Sequence, residues 1–286
     1  MNPIHIALTT LSNQVDPAEL SQVAAALQIQ ATRDFGPIWN VSATVDAFAL
    51  SDIPAGYWPI IVQDTIDQPG ALGYHQTRGD GTPYALVLYG PTWSLTASHE
   101  CLEILADPFA SQKHTGQSLI AAQGRVDYLV EVCDPCEDPA FAYPVNGVMV
   151  SDFYTPNFFD PVASSQVRYS YSGVITQPFQ VLANGYLSWF ASDGLIYQAK
   201  ADANGTITFT EGASPTNRNC LPLREFVDSL TPDHQRRLSN ATRGPTLEAA
   251  HTNAAKARQT YGARFRSDIT LRFGAPTPEL PDQPAA

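Results

Sequence analysis

The hydrophobic period switches repeatedly along the first hundred residues, and that switching constrains the fold more than any other feature of the sequence. Ile4–Thr10 alternates apolar and polar residues and reads as a strand. Asp16 then offers an N-cap with Pro17 at the first helical position, and Leu20, Val23, Ala24, Leu27 and Ala31 recur at helical spacing. Gly36–Pro37 is expected to stop this helix. Strands follow at about 39–48 and 57–64. Residues 71–75 are short and flanked by glycine, which suits the edge of a sheet. After a turn at Gly79–Asp80–Gly81, the apolar run 84–89 suits a sheet interior. A helix over about 92–106 completes the series, and Asp107–Pro108 ends it because the residue before a proline resists helical geometry.

Beyond this helix the texture is rich in β signals. A strand is expected over 125–133 and a hairpin over 143–154, turning at Asn146–Gly147. A meander is expected over 169–209, punctuated by Asn184–Gly185, Asp193–Gly194 and Asn204–Gly205. Two or three helices should finish the fold, the clearest opening near Pro245 and running to about Arg264. From Gly274 the chain is proline-rich and reads as a disordered tail. The expectation is an α+β protein with three parts: residues 1–164 as the principal unit, 165–273 as an accessory or integral β-rich unit with helices, and 274–286 as the tail.

Charge and composition exclude several functions. With 28 acidic against 16 basic residues the formal net charge is −12, so phosphate backbones and anionic membrane surfaces are repelled on average. Nucleic acid is therefore not an expected partner. No stretch approaches the roughly 18 uninterrupted apolar residues of a membrane helix, so membrane insertion is not expected either. The N-terminus lacks a basic leader and reads at once as a strand. The four cysteines, Cys101, Cys133, Cys136 and Cys220, are too few for a disulfide scaffold, which favours a reducing, cytoplasmic compartment.

The chemistry is concentrated in the helix after the fourth expected inner strand. Ser98-His99-Glu100-Cys101-Leu102-Glu103 has the H-E-x-x-H spacing with glutamate in place of the second histidine, an HExxE motif. Residues four apart lie about 6 Å apart on one helical face, so His99 and Glu103 can reach a single ion. Glu100 projects to the side, where a carboxylate can act as general base toward water activated by the metal. A carboxylate ligand lowers Lewis acidity and shifts preference toward harder cations such as Mn²⁺ or Ca²⁺, while zinc still accepts glutamate. A surface helix with an accidental His-Glu pair would show the same five residues.

The longer pattern S-H-E-x-x-E-x-x-x-D-P over Ser98–Pro108, followed by Glu131-x-x-Asp134-x-Cys136, resembles a set of zincin-like proteins. The resemblance covers about forty residues. It implies a zincin-like mixed sheet with an active-site helix, one bound divalent metal (zinc first, with calcium or manganese possible) and hydrolysis of a peptide or protein substrate. The strand and helix order is also the one found in zincin catalytic domains, where the edge strand binds extended substrate.

A zinc peptidase needs a third protein ligand. A histidine ten residues after the first would serve, but position 109 is Phe. Asp107 lies about 12 Å along the helix axis from His99 and is better placed to cap the helix. Glu131, between Val130 and Val132, is the expected ligand, because a carboxylate among apolar neighbours needs a partner. Asp107, Asp134 and His114 are the alternatives. Cys133-x-x-Cys136 encloses Asp134–Pro135 and is flanked by Glu131, Glu137 and Asp138, which disfavours redox chemistry; a local disulfide or core cysteines are expected. His75 is as easily a surface residue as one lining the cleft. Tyr143, Tyr154, Tyr186, Trp189, Phe190 and Tyr197 are expected to serve packing. The functional expectation is a metal-dependent peptidase with His99, Glu103 and Glu131 as ligands and Glu100 as base. The alternative is a catalytically inactive, metal-stabilised interaction protein.

Overall fold

In the computed structural model, which describes residues 3–68 and 70–212, the chain is a mixed α/β structure built on two five-stranded sheets and a hairpin. The first strand, β1 (Ile4–Thr10), leads into helix α1 (Pro17–Ile29), whose N-cap Asp16 accepts the Ala18 N–H at 2.7 Å. The helical path does not stop at Gly36–Pro37. It widens into a π-turn over Gln30–Phe35 and resumes as α2 (Gly36–Trp39), ending where Asn40 turns left-handed at φ 55°. The reason is local. The π-turn shifts the hydrogen-bond register, so Pro37 falls in the first turn of a new helical segment, where its missing N–H costs nothing. Gly36 is required there, because a Cβ would sit 2.5 Å from the Val41 carbonyl oxygen.

Strands β2 (Ala43–Ala47), β3 (Trp58–Gln63), β4 (Gly73–Thr77) and β5 (Pro83–Leu88) complete the first sheet in the order β2-β1-β3-β5-β4. Neighbours β1, β2, β3 and β5 run parallel, and only β4 is antiparallel, along β5. The glycine-flanked segment therefore does form the sheet edge. Helix α3 (Trp93–Ala106) packs on the β3, β4 and β5 side of this sheet and touches α1. The Trp93 indole joins the two helices by donating to Glu19 at 3.0 Å.

After α3 come β6 (Lys113–Gln117) and β7 (Arg125–Leu129). Strand β7 ends four residues earlier than its hydrophobic pattern suggests, so Glu131 lies in the loop beyond it. The hairpin β8 (Tyr143–Val145) and β9 (Val148–Val150) turns at Asn146–Gly147 as expected, with both residues at positive φ. The expected meander is shorter than its sequence range: β10 (Tyr186–Phe190), β11 (Ile196–Ala201) and β12 (Ile207–Glu211) are its strands, and 171–185 is irregular. The second sheet has the order β12-β11-β10-β7-β6, so strands from both sides of residue 165 share one ladder through the β7–β10 pair. Tyr186 and Trp189 are fully buried, as packing residues should be. The helices expected near 245–264 and the tail from 274 lie outside the described residues.

None of the helices among the described residues is long and apolar enough to cross a membrane. What matters for function is the loop that follows β7. Behind α3, the loop from Val130 to Asp138 is held by the second half of the chain. The Pro135 carbonyl accepts the Leu182 N–H at 2.9 Å, and Asn184 bonds the Asp138 carboxylate. Gly185 passes so close that a Cβ there would meet the Pro135 carbonyl oxygen at 2.5 Å.

Candidate metal centre

Helix α3 is buried over nearly its whole length, including its polar residues: His99 is 9% exposed, Glu100 2% and Glu103 not at all. Ser98 explains part of that placement. Its hydroxyl donates to Gln30 Oε1 at 2.8 Å and accepts the Ser151 N–H at 2.9 Å, pinning the helix to the π-turn and to the end of the β8–β9 hairpin. With that face fixed, His99 and Glu103 project together. His99 Nε2 lies 3.2 Å from Glu103 Oε1 and 3.3 Å from Asp134 Oδ1.

Strand β4 supplies the opposite wall. Gly73 and His75 share one face of the strand, two residues apart. A Cβ on Gly73 would stand 2.6 Å from Thr96 Cγ2 and 2.9 Å from Glu100 Oε1, so only glycine lets the strand lie this close to the helix. His75, fully buried, then reaches Glu100 Oε2 at 3.4 Å and Glu103 Oε2 at 3.7 Å through Nδ1. Replacing Gly73 with Ala is expected to displace Glu100 and lower stability by about 1–3 kcal/mol, the usual cost of overpacking. Urea unfolding of the variant checks this, and an unchanged midpoint would contradict the close approach.

Three groups of donors fall within 4.8 Å of one another: His99 with Glu103 and Cys133, His75 with Glu103 and Glu131, and His99 with Asp134 and Glu137. All of these residues are buried, and any of the three groups could hold a metal ion. The structure thus brings the expected His99 and Glu103 together but groups Glu131 with His75. Beside His99 it places Asp134, one of the alternatives, together with Glu137. Asp107 closes the helix, its carboxylate accepting the Gln112 N–H at 2.7 Å. His114 stands apart on β6, stacked on Phe159 with ring centroids 4.3 Å apart. Cys133 and Cys136 are free and buried, so no disulfide joins them. Burial raises both thiols well above their ordinary pKa, with neighbouring carboxylates adding to it, which removes the basis for a redox role.

The electrostatics are one-sided. Glu100, Glu103, Glu131, Asp134 and Glu137 are all buried in this region, and no Lys or Arg is buried among the described residues. Burial by itself would lower the His99 pKa, but Glu103, Asp134 and Glu100 outweigh it and hold the imidazole well above its ordinary range. The phenol of Tyr154 is fully buried and has no hydrogen-bond partner among the described residues. Burial, then the charges of Glu131, Glu103 and Asp134, push its pKa up. Tyr143, by contrast, is taken up by Gln30 and Asp34 at 3.1 Å each.

Nearby, Asp152 is fully buried and its pKa is raised by burial, against the opposing pull of hydrogen bonds from Ser172. A folded state that binds the proton more tightly loses stability as pH rises from the ordinary value of 3.8 through the raised one. Asp152→Asn cannot ionise. Its stability relative to the parent protein is therefore expected to improve as pH rises above the ordinary carboxyl value of 3.8, read from denaturant midpoints with chelator present. A difference that stays constant as pH rises would contradict the assignment.

An open cleft of about 440 Å³, including the part that merges with solvent, runs along one side of the centre. Gly73 of β4 and Leu72 just before it line it, with Thr96, His99 and Glu100 of α3 and Glu137 of the loop. His75, Glu103 and Glu131 are not among its lining residues. Two donors escaped the sequence reading as donors, His75 and Cys133. The alternation of β4 put His75 on the same face as Gly73, and that was the available signal. Compared with family models, curated proteins and solved structures, the chain matches none.

Proposed function

We propose that the protein is a metal-dependent hydrolase acting on peptides, with a divalent cation held at His99 by Glu103 and by the Asp134 and Glu137 carboxylates. The observation that carries this reading is the spacing of the donors around His99. Donors about 2.0–2.2 Å from a tetrahedral ion stand roughly 3.3–3.6 Å from each other, whereas charge-assisted hydrogen bonds run about 2.7–2.9 Å. The separations of 3.2 Å and 3.3 Å at His99 fall nearer the first range. A donor set of one imidazole and several carboxylates suits zinc and also harder ions such as manganese or calcium. When bound, such an ion acidifies water and polarises a substrate carbonyl.

The chain's own residues supply the rest. Glu100 lines the cleft next to His99 and is placed to take a proton from the attacking water and pass it to the leaving nitrogen. Strand β4 is the edge of its sheet, with no strand on its outer side among the described residues, and its Gly73 forms part of the cleft. An extended peptide pairing with that edge would bring a carbonyl to Glu100 and His99. The parallel sheet with one antiparallel edge strand, followed by the helix bearing the motif, agrees with the zincin resemblance. The test is metal content by mass spectrometry together with cleavage of a peptide library. Metal-free protein, or no cleavage by metal-loaded protein, contradicts the reading.

One observation favours a second reading, a metal that stabilises an interaction protein without catalysis. Glu103, Glu131 and Asp134 are buried and their side of the centre does not face the cleft, as in a closed structural site. Chelation that lowers the melting temperature while no substrate is ever cut would select it.

A further inference from the structure

The geometry points to a second divalent cation site, formed by His75, Glu103 and Glu131, that shares Glu103 with the first and makes the centre binuclear. This inference rests on the reading that a cation binds at His99. Three independent features carry it.

The first is the orientation of Glu103. Its two oxygens face different histidines: Oε1 stands 3.2 Å from His99 Nε2, and Oε2 stands 3.7 Å from His75 Nδ1. A carboxylate presenting one oxygen to each of two imidazoles is disposed as a bridge, and ions bridged in this way sit about 3.5–4 Å apart. The donor atoms of His75, Glu103 and Glu131 lie within 4.8 Å of one another, on strand β4, helix α3 and the loop after β7, so three separate elements converge.

Charge is the second feature. The five buried carboxylates of the centre face no buried Lys or Arg among the described residues. With both histidines neutral and the carboxylates ionised, as metal ligands must be, the donor set carries enough negative charge for two divalent ions. The Glu103 and Glu131 carboxylates on the His75 side thus offer a second divalent ion the negative charge it needs.

The third feature is Tyr154. Its phenol is fully buried without a hydrogen-bond partner among the described residues, and its backbone N–H donates to the carbonyl of Val132, the residue after Glu131, at 2.8 Å. The same ring is fixed by stacking on Phe158, with centroids 4.3 Å apart, and by its backbone carbonyl accepting the Trp39 indole N–H at 3.0 Å. The Nε2 atom of His75 is also buried and without a hydrogen-bond partner among the described residues. Polar groups left this way beside Glu131 fit a position that a ligated ion and its donors would complete.

The probe is Mn²⁺ alone, loaded into metal-stripped full-length protein and followed by desalting, metal analysis and low-temperature electron paramagnetic resonance. The expected result is two equivalents of Mn²⁺ with an exchange-coupled signal. Glu131→Gln and, separately, His75→Gln should retain one equivalent with the uncoupled spectrum of an isolated ion. One equivalent with an uncoupled spectrum in the unsubstituted protein would overturn the second site and leave the first standing. No retained metal would overturn both. The unsubstituted protein decides the question even if either variant fails to fold.

Discussion

Stripping divalent metal from the protein is expected to lower its melting temperature by roughly 5–15 °C. The magnitude follows from linkage: a ligand present at 100 to 1,000 times its dissociation constant adds about 2.7–4.1 kcal/mol, and each kcal/mol is worth about 2–4 °C in a unit of this size. The physical source is the buried carboxylate cluster around Glu103, which no buried Lys or Arg offsets among the described residues. Adding zinc back should restore the transition. Glu103→Gln should already melt low and ignore the chelator, because Glu103 approaches both histidines and accepts the Cys133 N–H at 3.3 Å. Differential scanning calorimetry with and without chelator measures this, and an unchanged transition in the parent protein would contradict metal support of the fold.

Glu100→Gln is expected to reduce peptide cleavage by about 10²- to 10⁴-fold, the usual contribution of a positioned general base. Its metal content should stay the same. The two outcomes separate because Glu100 belongs to none of the three donor groups, yet lines the cleft. The amide keeps the shape of the side chain beside Gly73 and His75, so the loss should fall on kcat rather than on stability. Cleavage that proceeds equally well in the variant would remove Glu100 from the chemistry. Loss of metal along with activity would mean that Glu100 is a ligand instead.

Much of the first sheet was legible in the sequence because each element carries its own local signal. β1 shows strand alternation, Asp16–Pro17 marks the start of α1, and Asp107–Pro108 marks the end of α3. The π-turn at Gln30–Phe35 was not legible, since Gly36–Pro37 looks the same whether a helix stops there or restarts. Neither was the end of β7: Val130 and Val132 are apolar because they are buried in a loop, not because they lie in a strand. At the centre, the helical spacing of His99 and Glu103 was a one-dimensional signal and could be read. The approach of His75, Asp134 and Glu137 depends on β4 lying against α3 and on Leu182 and Gly185 holding the Asp134–Pro135 turn, which are contacts between distant parts of the chain.

Anomalous scattering from zinc-soaked crystals tests the central claim most directly. The account predicts a strong peak beside His99 Nε2, within bonding distance of it and of carboxylate oxygens from among Glu103, Asp134 and Glu137. Crystals grown with zinc in excess that show no peak there, with the imidazole hydrogen-bonded straight to Glu103 and Asp134, would contradict it.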